Sequence, residues 1–303
     1  MLGCLEMDVQ TCIEKYIEVM DYVFDNPTPV MPVNIFSREL TPKYQQSRLR
    51  ARILSVIGDS RVTQGMPPET VRMRRAGIPS HCKAAYSILS FVVATDANTS
   101  DDVQFTNYAR PFEQQSNYFD QVTLCEAALA STAALSFFKP MEIFHGGISR
   151  TFLDGGFYQN NPVSILWREA LVQFNLTDAE LPQRIRCILS IGTGKIGPKA
   201  LNGTVKHVAK RFIELVTRTD DTAKEFLRAH QDLATIHRYM RFDPQYMEDI
   251  GLADAKKKDR VAELSAYYGN NPDHQTRLLQ FQEAAGSEQS TSYLEHEEQV
   301  SFA

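Results

Sequence analysis

Arg150-Thr-Phe-Leu-Asp154-Gly-Gly-Phe-Tyr-Gln-Asn160-Asn-Pro162-Val163 puts one aspartate at the end of an apolar run, then two glycines, then Asn-Asn-Pro. Thr151, Phe152 and Leu153 read as a short buried strand. Gly155 and Gly156 admit backbone angles closed to other residues, so the chain can turn sharply there. Asn161 is a good helix N-cap, and Pro162 suits the first helical position. From Val163 to Phe174 apolar residues recur at helical spacing. Asp154 is therefore expected at a strand end, above a turn that feeds a helix. In open α/β sheets that edge collects ligand-binding and catalytic groups.

Outward from this stretch, strands and helices alternate, which argues an α/β class. Upstream, Asp8 is a plausible N-cap for a helix to Phe24, with Ile13, Tyr16, Ile17, Met20, Val23 and Phe24 on one face. Residues 44–57 read as helix and 58–80 as a polar connector. The strongest strand signal runs from Ala84 to Thr95, with Val103–Tyr108 as its hairpin partner across the turn-rich Asp96–Asp102. A helix rich in alanine is expected over Thr123–Ala134. Downstream, Arg186–Ile191 reads as a strand closed by Gly-Thr-Gly. Helices follow over about 204–232, 253–267 and 273–285. The division expected is an α/β domain over 1–203, a helical part over 204–285 and a loose polar tail over 286–303.

The bulk numbers exclude several classes. With 43% apolar and 23% charged residues the composition is that of a globular protein. A net charge of -5 gives no reason to expect nucleic acid. No apolar run approaches the roughly 20 residues that span a bilayer, and no signal peptide is written at the start. The five cysteines are scattered without metal-ligand spacing, which points to free thiols in a reducing, cytoplasmic setting. No metal or cofactor is expected.

Three stretches could carry chemistry. Gly192-Thr-Gly194-Lys-Ile-Gly197 fits G-x-G-x-x-G after a strand, the spelling of a dinucleotide loop. Pro198 follows the third glycine, however, and no acidic residue ends a second strand some 20 positions on, so a glycine-rich strand exit is the better reading. Gly58-Asp-Ser60 resembles the Gly-Asp-Ser block of small serine esterases. Such an enzyme needs a histidine to take the serine proton, and no histidine has an aspartate three positions before it. Leu49, Ile53, Val56 and Ile57 also fit a helix face better than a strand. The third stretch is Asp154 itself. An isolated Asp-Gly-Gly is usually a structural turn, but here it comes with three companion blocks.

Those companions are Ala130-Ser-Thr-Ala-Ala-Leu-Ser-Phe-Phe-Lys-Pro140, Asn160-Asn-Pro162 and Ser190-Ile-Gly-Thr-Gly194. Together with Leu5-Glu-Met-Asp-Val9 and Cys12-Ile-Glu-Lys-Tyr-Ile17, they make the chain resemble a patatin-like phospholipase over roughly residues 1–267. Leu135, where the family often has proline, departs from the pattern, and Ala84–Ser90 lengthens the strand after Cys82-Lys83. The resemblance implies a patatin-type three-layer α/β/α sandwich with a mostly helical C-terminal part. It implies hydrolysis of glycerolipid or phospholipid acyl esters by a serine–aspartate dyad, and it allows peripheral contact with a membrane.

Residue by residue, only the aspartate carries over, to Asp154 with its turn residues Gly155 and Gly156 and the supporting Asn160, Asn161 and Pro162. The family's serine sits in G-x-S-x-G, and its oxyanion loop is glycine-rich. Neither block occurs here; Gly147-Ile-Ser149-Arg-Thr151 is the nearest spelling. In the family order both precede the segment matched by Met1-Leu-Gly3. The expectation is a fold whose first strands are missing and a dyad without its nucleophile. The alternative is a non-catalytic relative that serves as a binding module. The arginines Arg48, Arg50, Arg52, Arg61, Arg72, Arg74 and Arg75 could meet anionic headgroups, but a solvated helix-and-loop face accounts for them as well.

Overall fold

A computed structural model describes residues 1–25, 27, 42–74, 88–110, 117–194, 220–245, 247, 250–251 and 253–286. The chain divides into two compact units, residues 1–160 with 252–256 and residues 161–251 with 257–303. The expected α/β class and helical C-terminal part are both present.

In the first unit the elements are α1 (Leu2–Leu5), α2 (Val9–Phe24), α3 (Gln46–Gly58), β1 (Phe91–Asp96), β2 (Asp102–Thr106), α4 (Asn117–Gln121), α5 (Leu124–Ser131), β3 (Met141–His145) and β4 (Ile148–Asp154). Asp8 caps α2 as its sequence suggests, its carboxylate accepting the Thr11 N–H at 2.9 Å. The buried face of α2 differs from the one read from spacing. Val19, Val23 and Phe24 pack with Leu49, Val56 and Ile57 of α3, whereas Ile13 and Tyr16 are exposed. Phe24 meets Tyr44 edge-on, with ring centroids 4.7 Å apart.

The sheet has the order β2-β1-β4-β3, antiparallel throughout. The β1–β2 hairpin falls where expected, but β1 begins at Phe91, well after Ala84. Just before it the Ser90 N–H donates to the Asn107 side chain, and Asn107 Nδ2 donates to the Ile88 carbonyl. Side-chain bonds thus replace part of the ladder there; residues 84–87 lie outside the described ones. Sequence reading did not find β3. It joins β4 through Gly146 and Gly147, both with positive φ, the conformation of a two-residue hairpin turn. Helix α5 is shorter than expected and starts at a capping box. The Thr123 hydroxyl takes the Glu126 N–H, and the Glu126 carboxylate takes the Thr123 N–H. Ala127, Ala130 and Ala133 are fully buried. Ala127 and Ala130 join Ala94, Phe105, Ile143 and Phe152 in a core between α5 and the sheet.

The second unit holds α6 (Val163–Phe174), α7 (Leu181–Arg184), β5 (Ile188–Ile191), α8 (220–229), α9 (Gln231–Thr235), β6 (Tyr239–Phe242), α10 (Lys258–Gly269) and α11 (Pro272–Gly286). β5 and β6 are parallel, and sequence reading did not find β6. Trp167 anchors this core against Phe226 and Tyr239 and donates its indole N–H to Asp178 at 2.7 Å. The expected helix over 204–232 is visible only from 220, residues 195–219 lying outside the described ones, and it breaks at His230. The last two helices fall close to their expected spans. Of the polar tail, 287–303 lie outside the described residues. No helix among the described residues is long and apolar enough to cross a membrane.

Candidate active site around Asp154

Asp154 is the last residue of β4 and stands opposite Ala94 of β1. Its backbone is held from two sides. The N–H donates to the Ala133 carbonyl at 3.1 Å, and its own carbonyl accepts the hydroxyl of the buried Thr95 at 3.3 Å. Three elements therefore fix where the side chain starts: β4, β1 and the segment after α5. Sequence reading missed Thr95 and Ala133, since nothing in their spelling distinguishes them from core residues.

The turn after Asp154 is one short 3-10 segment, Gly155–Phe157, with the Asp154 side chain as its cap. Oδ1 accepts the Gly156 N–H at 2.6 Å. The two glycines turn out to serve closeness and not unusual backbone angles, since neither has positive φ. An added Cβ on Gly155 would lie 2.2 Å from the Val93 carbonyl oxygen, and one on Gly156 would lie 2.9 Å from Asp154 Oδ1. Any side chain at Gly155 would push the turn off β1, and one at Gly156 would crowd the carboxylate.

Burial pushes the Asp154 carboxyl up to about 6, with the Gly156 N–H opposing this only in part. A carboxylate in that range is mostly ionised at neutral pH, yet basic enough to take a proton. Its second oxygen, Oδ2, carries no hydrogen bond among the described residues, and no hydroxyl among them bonds to the carboxylate.

The supporting residues are placed as follows. The chain leaves the turn with Tyr158 and Gln159 N–H groups on the Gly155 carbonyl, and Asn160 runs beside Gly156. Asn161 is buried, and its Oδ1 accepts the Val163 N–H at 3.3 Å. The helix begins one residue later than its sequence suggested. Pro162 occupies the cap with no side-chain bond, and Asn161 works from the position before it.

The other candidates resolve into structural roles. The Ser60 hydroxyl is buried, donates to the Leu5 carbonyl at 3.0 Å and accepts the Val62 N–H. Ser149 lies on β4, exposed, and donates to Glu142 at 2.6 Å. Arg48 and Arg52 both stack on Tyr22, about 4 Å from the ring centre (4.1 and 4.2 Å), while Arg74 reaches Thr106 and Asp120. Arg75 lies outside the described residues. Among the described residues no cluster of three or more His, Cys, Asp or Glu side chains could hold a metal.

A family model described as patatin-like phospholipase matches residues 2–167, a span that contains the Ala130–Pro140 block and Asp154 with its turn. No curated protein matches the chain.

Proposed function

Because the chain belongs to the patatin-like phospholipase family, a family of lipid acyl hydrolases, we propose that Asp154 is the general base of a serine–aspartate dyad acting on a glycerolipid or phospholipid acyl ester. The observation that carries this reading is the state of its carboxylate. It is half-buried, raised to about 6, steadied through one oxygen by Gly156, and set at a strand end. Asp154 Oδ2 would take the proton of a serine hydroxyl as that oxygen bonds to the ester carbonyl carbon. The proton then passes to the departing alcohol oxygen as the C–O bond breaks. In the second half Asp154 takes a proton from water as the water oxygen attacks the acyl-serine, and returns it to the serine. Gly155 and Gly156 keep the turn close to β1, and Asn160, Asn161 and Pro162 carry the chain into the next helix.

The 303 residues hold no G-x-S-x-G. This favours a second reading for the chain as it stands, a binding module of the same family without hydrolytic activity. One experiment separates the two. The purified chain is assayed on a p-nitrophenyl ester and on phospholipid vesicles, alone and after fusion to an N-terminal segment bearing the glycine-rich and G-x-S-x-G blocks. Under the dyad reading the chain alone is inactive, the fusion gains activity, and Asp154→Asn in the fusion abolishes it. A fusion whose activity survives Asp154→Asn defeats the assignment, and a lone chain whose turnover depends on Asp154 defeats the binding-module reading, because a nucleophile then lies within these residues.

A further inference from the structure

The exit of β5 folds around a carboxylate that belongs to the chain itself. β5 and β6 run parallel, so Ser190 pairs with Arg241, and both strands end at the same edge. Just past β6 lies Asp243, only 7% exposed. Its Oδ1 accepts the Gly194 N–H at 2.8 Å, and its Oδ2 accepts Arg241 Nη2 at 2.9 Å. Arg241 Nη1 donates to the Ser190 hydroxyl at 2.8 Å, and its buried Nε has no partner among the described residues. An added Cβ on Gly192 would fall 2.2–2.5 Å from the carboxyl atoms of Asp243. Gly194 has φ +101°, a conformation that favours glycine. Both glycines of Gly-Thr-Gly are therefore accounted for by Asp243. One makes room for its side chain, and the other turns an N–H onto it.

We propose that Gly192–Gly194, Ser190 and Arg241 form a carboxylate-binding site whose resident ligand is Asp243. A bent backbone N–H beside a buried guanidinium suits a planar anion. A buried guanidinium that loses the one carboxylate paired with it among the described residues is left uncompensated, which makes the empty site costly and so avid for a replacement. A small free carboxylate of the same shape, such as formate or acetate, is the ligand it takes once the Asp243 side chain is removed. The site thereby locks the β5 exit to β6 and closes a glycine loop to phosphate. This inference does not depend on the dyad reading.

The test is chemical rescue in the full chain, read by thermal unfolding. Asp243→Ala should lower Tm by roughly 5–10 °C. Sodium formate should then restore much of that loss with a saturable concentration dependence, while sodium chloride at equal ionic strength should not. Formate should leave the wild-type Tm where chloride leaves it. In Asp243→Ala with Arg241→Gln the formate effect should vanish. If Asp243→Ala fails to fold, its yield on dilution from urea is compared in formate and chloride; a higher yield in formate supports the site. Equal effects of formate and chloride, equal rescue by inorganic phosphate, or rescue that survives Arg241→Gln would overturn the assignment.

Discussion

Gly155 lies against the backbone of Val93 so closely that an added Cβ would stand 2.2 Å from the Val93 carbonyl oxygen. The obstacle is backbone, so no side-chain rotation can relieve it. Gly155→Ala should force β1 and β4 apart at the Ala94–Asp154 pair and cost about 2–3 kcal/mol, the range of overpacked cores. Urea denaturation measures it; a midpoint equal to that of the wild type would show that the turn is looser than this contact implies.

Asp154 should cost stability at neutral pH. Its carboxyl is raised by burial from an ordinary 3.8 to about 6. A carboxyl raised in the folded state is easiest to accommodate protonated. Its folded form is therefore favoured below pH 3.8, and that advantage is lost as pH rises through 6. The difference amounts to at most about 3 kcal/mol. Asp154→Asn keeps an acceptor for Gly156 and never ionises. The variant should unfold at a higher temperature than the wild type at pH 8 and at nearly the same temperature at pH 4. A gap that does not widen with pH removes burial of charge as the cause.

Arg150 on β4 reaches back to Asp96 at the end of β1, with Nη2 2.8 Å from Oδ2. Burial pushes the Asp96 carboxyl up, but the Asn98 N–H, Arg150 and the Thr99 N–H outweigh it and hold the carboxyl below its ordinary value. A lowered carboxyl contributes stability above its unfolded pKa and loses it as pH falls through the folded one. Arg150→Gln should thus destabilise the chain by about 2–4 kcal/mol at pH 7, because Asp96 stays buried without its countercharge. The loss should shrink in acid, once Asp96 is protonated. Paired melts of both proteins from pH 7 down to pH 3 would show it, and a loss independent of pH would point to the Arg150 guanidinium stacked over the Phe119 and Phe152 rings instead.

The loop spelled like a dinucleotide site should bind none. The Gly194 N–H is already given to Asp243, and Gly192 is filled against its carboxyl group. Equilibrium dialysis with NAD and with ATP should show no saturable uptake. Uptake that disappears with Gly194→Leu would reverse this conclusion.

Local chemistry wrote a good part of the molecule into the sequence. Asp8, Thr123 and the Asn-Asn-Pro run announce helix starts because a capping bond joins residues two or three apart. Ala84–Thr95 and Val103–Tyr108 announce a hairpin, though with strands longer than the ones formed, because both strands and their turn are contiguous. Asp154 at the end of an apolar run was legible for the same reason. Tertiary structure decided the rest. Only the approach of β1 shows that Gly155 is required for space. Only burial among β1, β4 and the segment after α5 raises the Asp154 carboxyl. Only the parallel pairing of β5 with β6 brings Asp243 onto Gly192 and Gly194, some 50 residues away, an interval that no local pattern can encode.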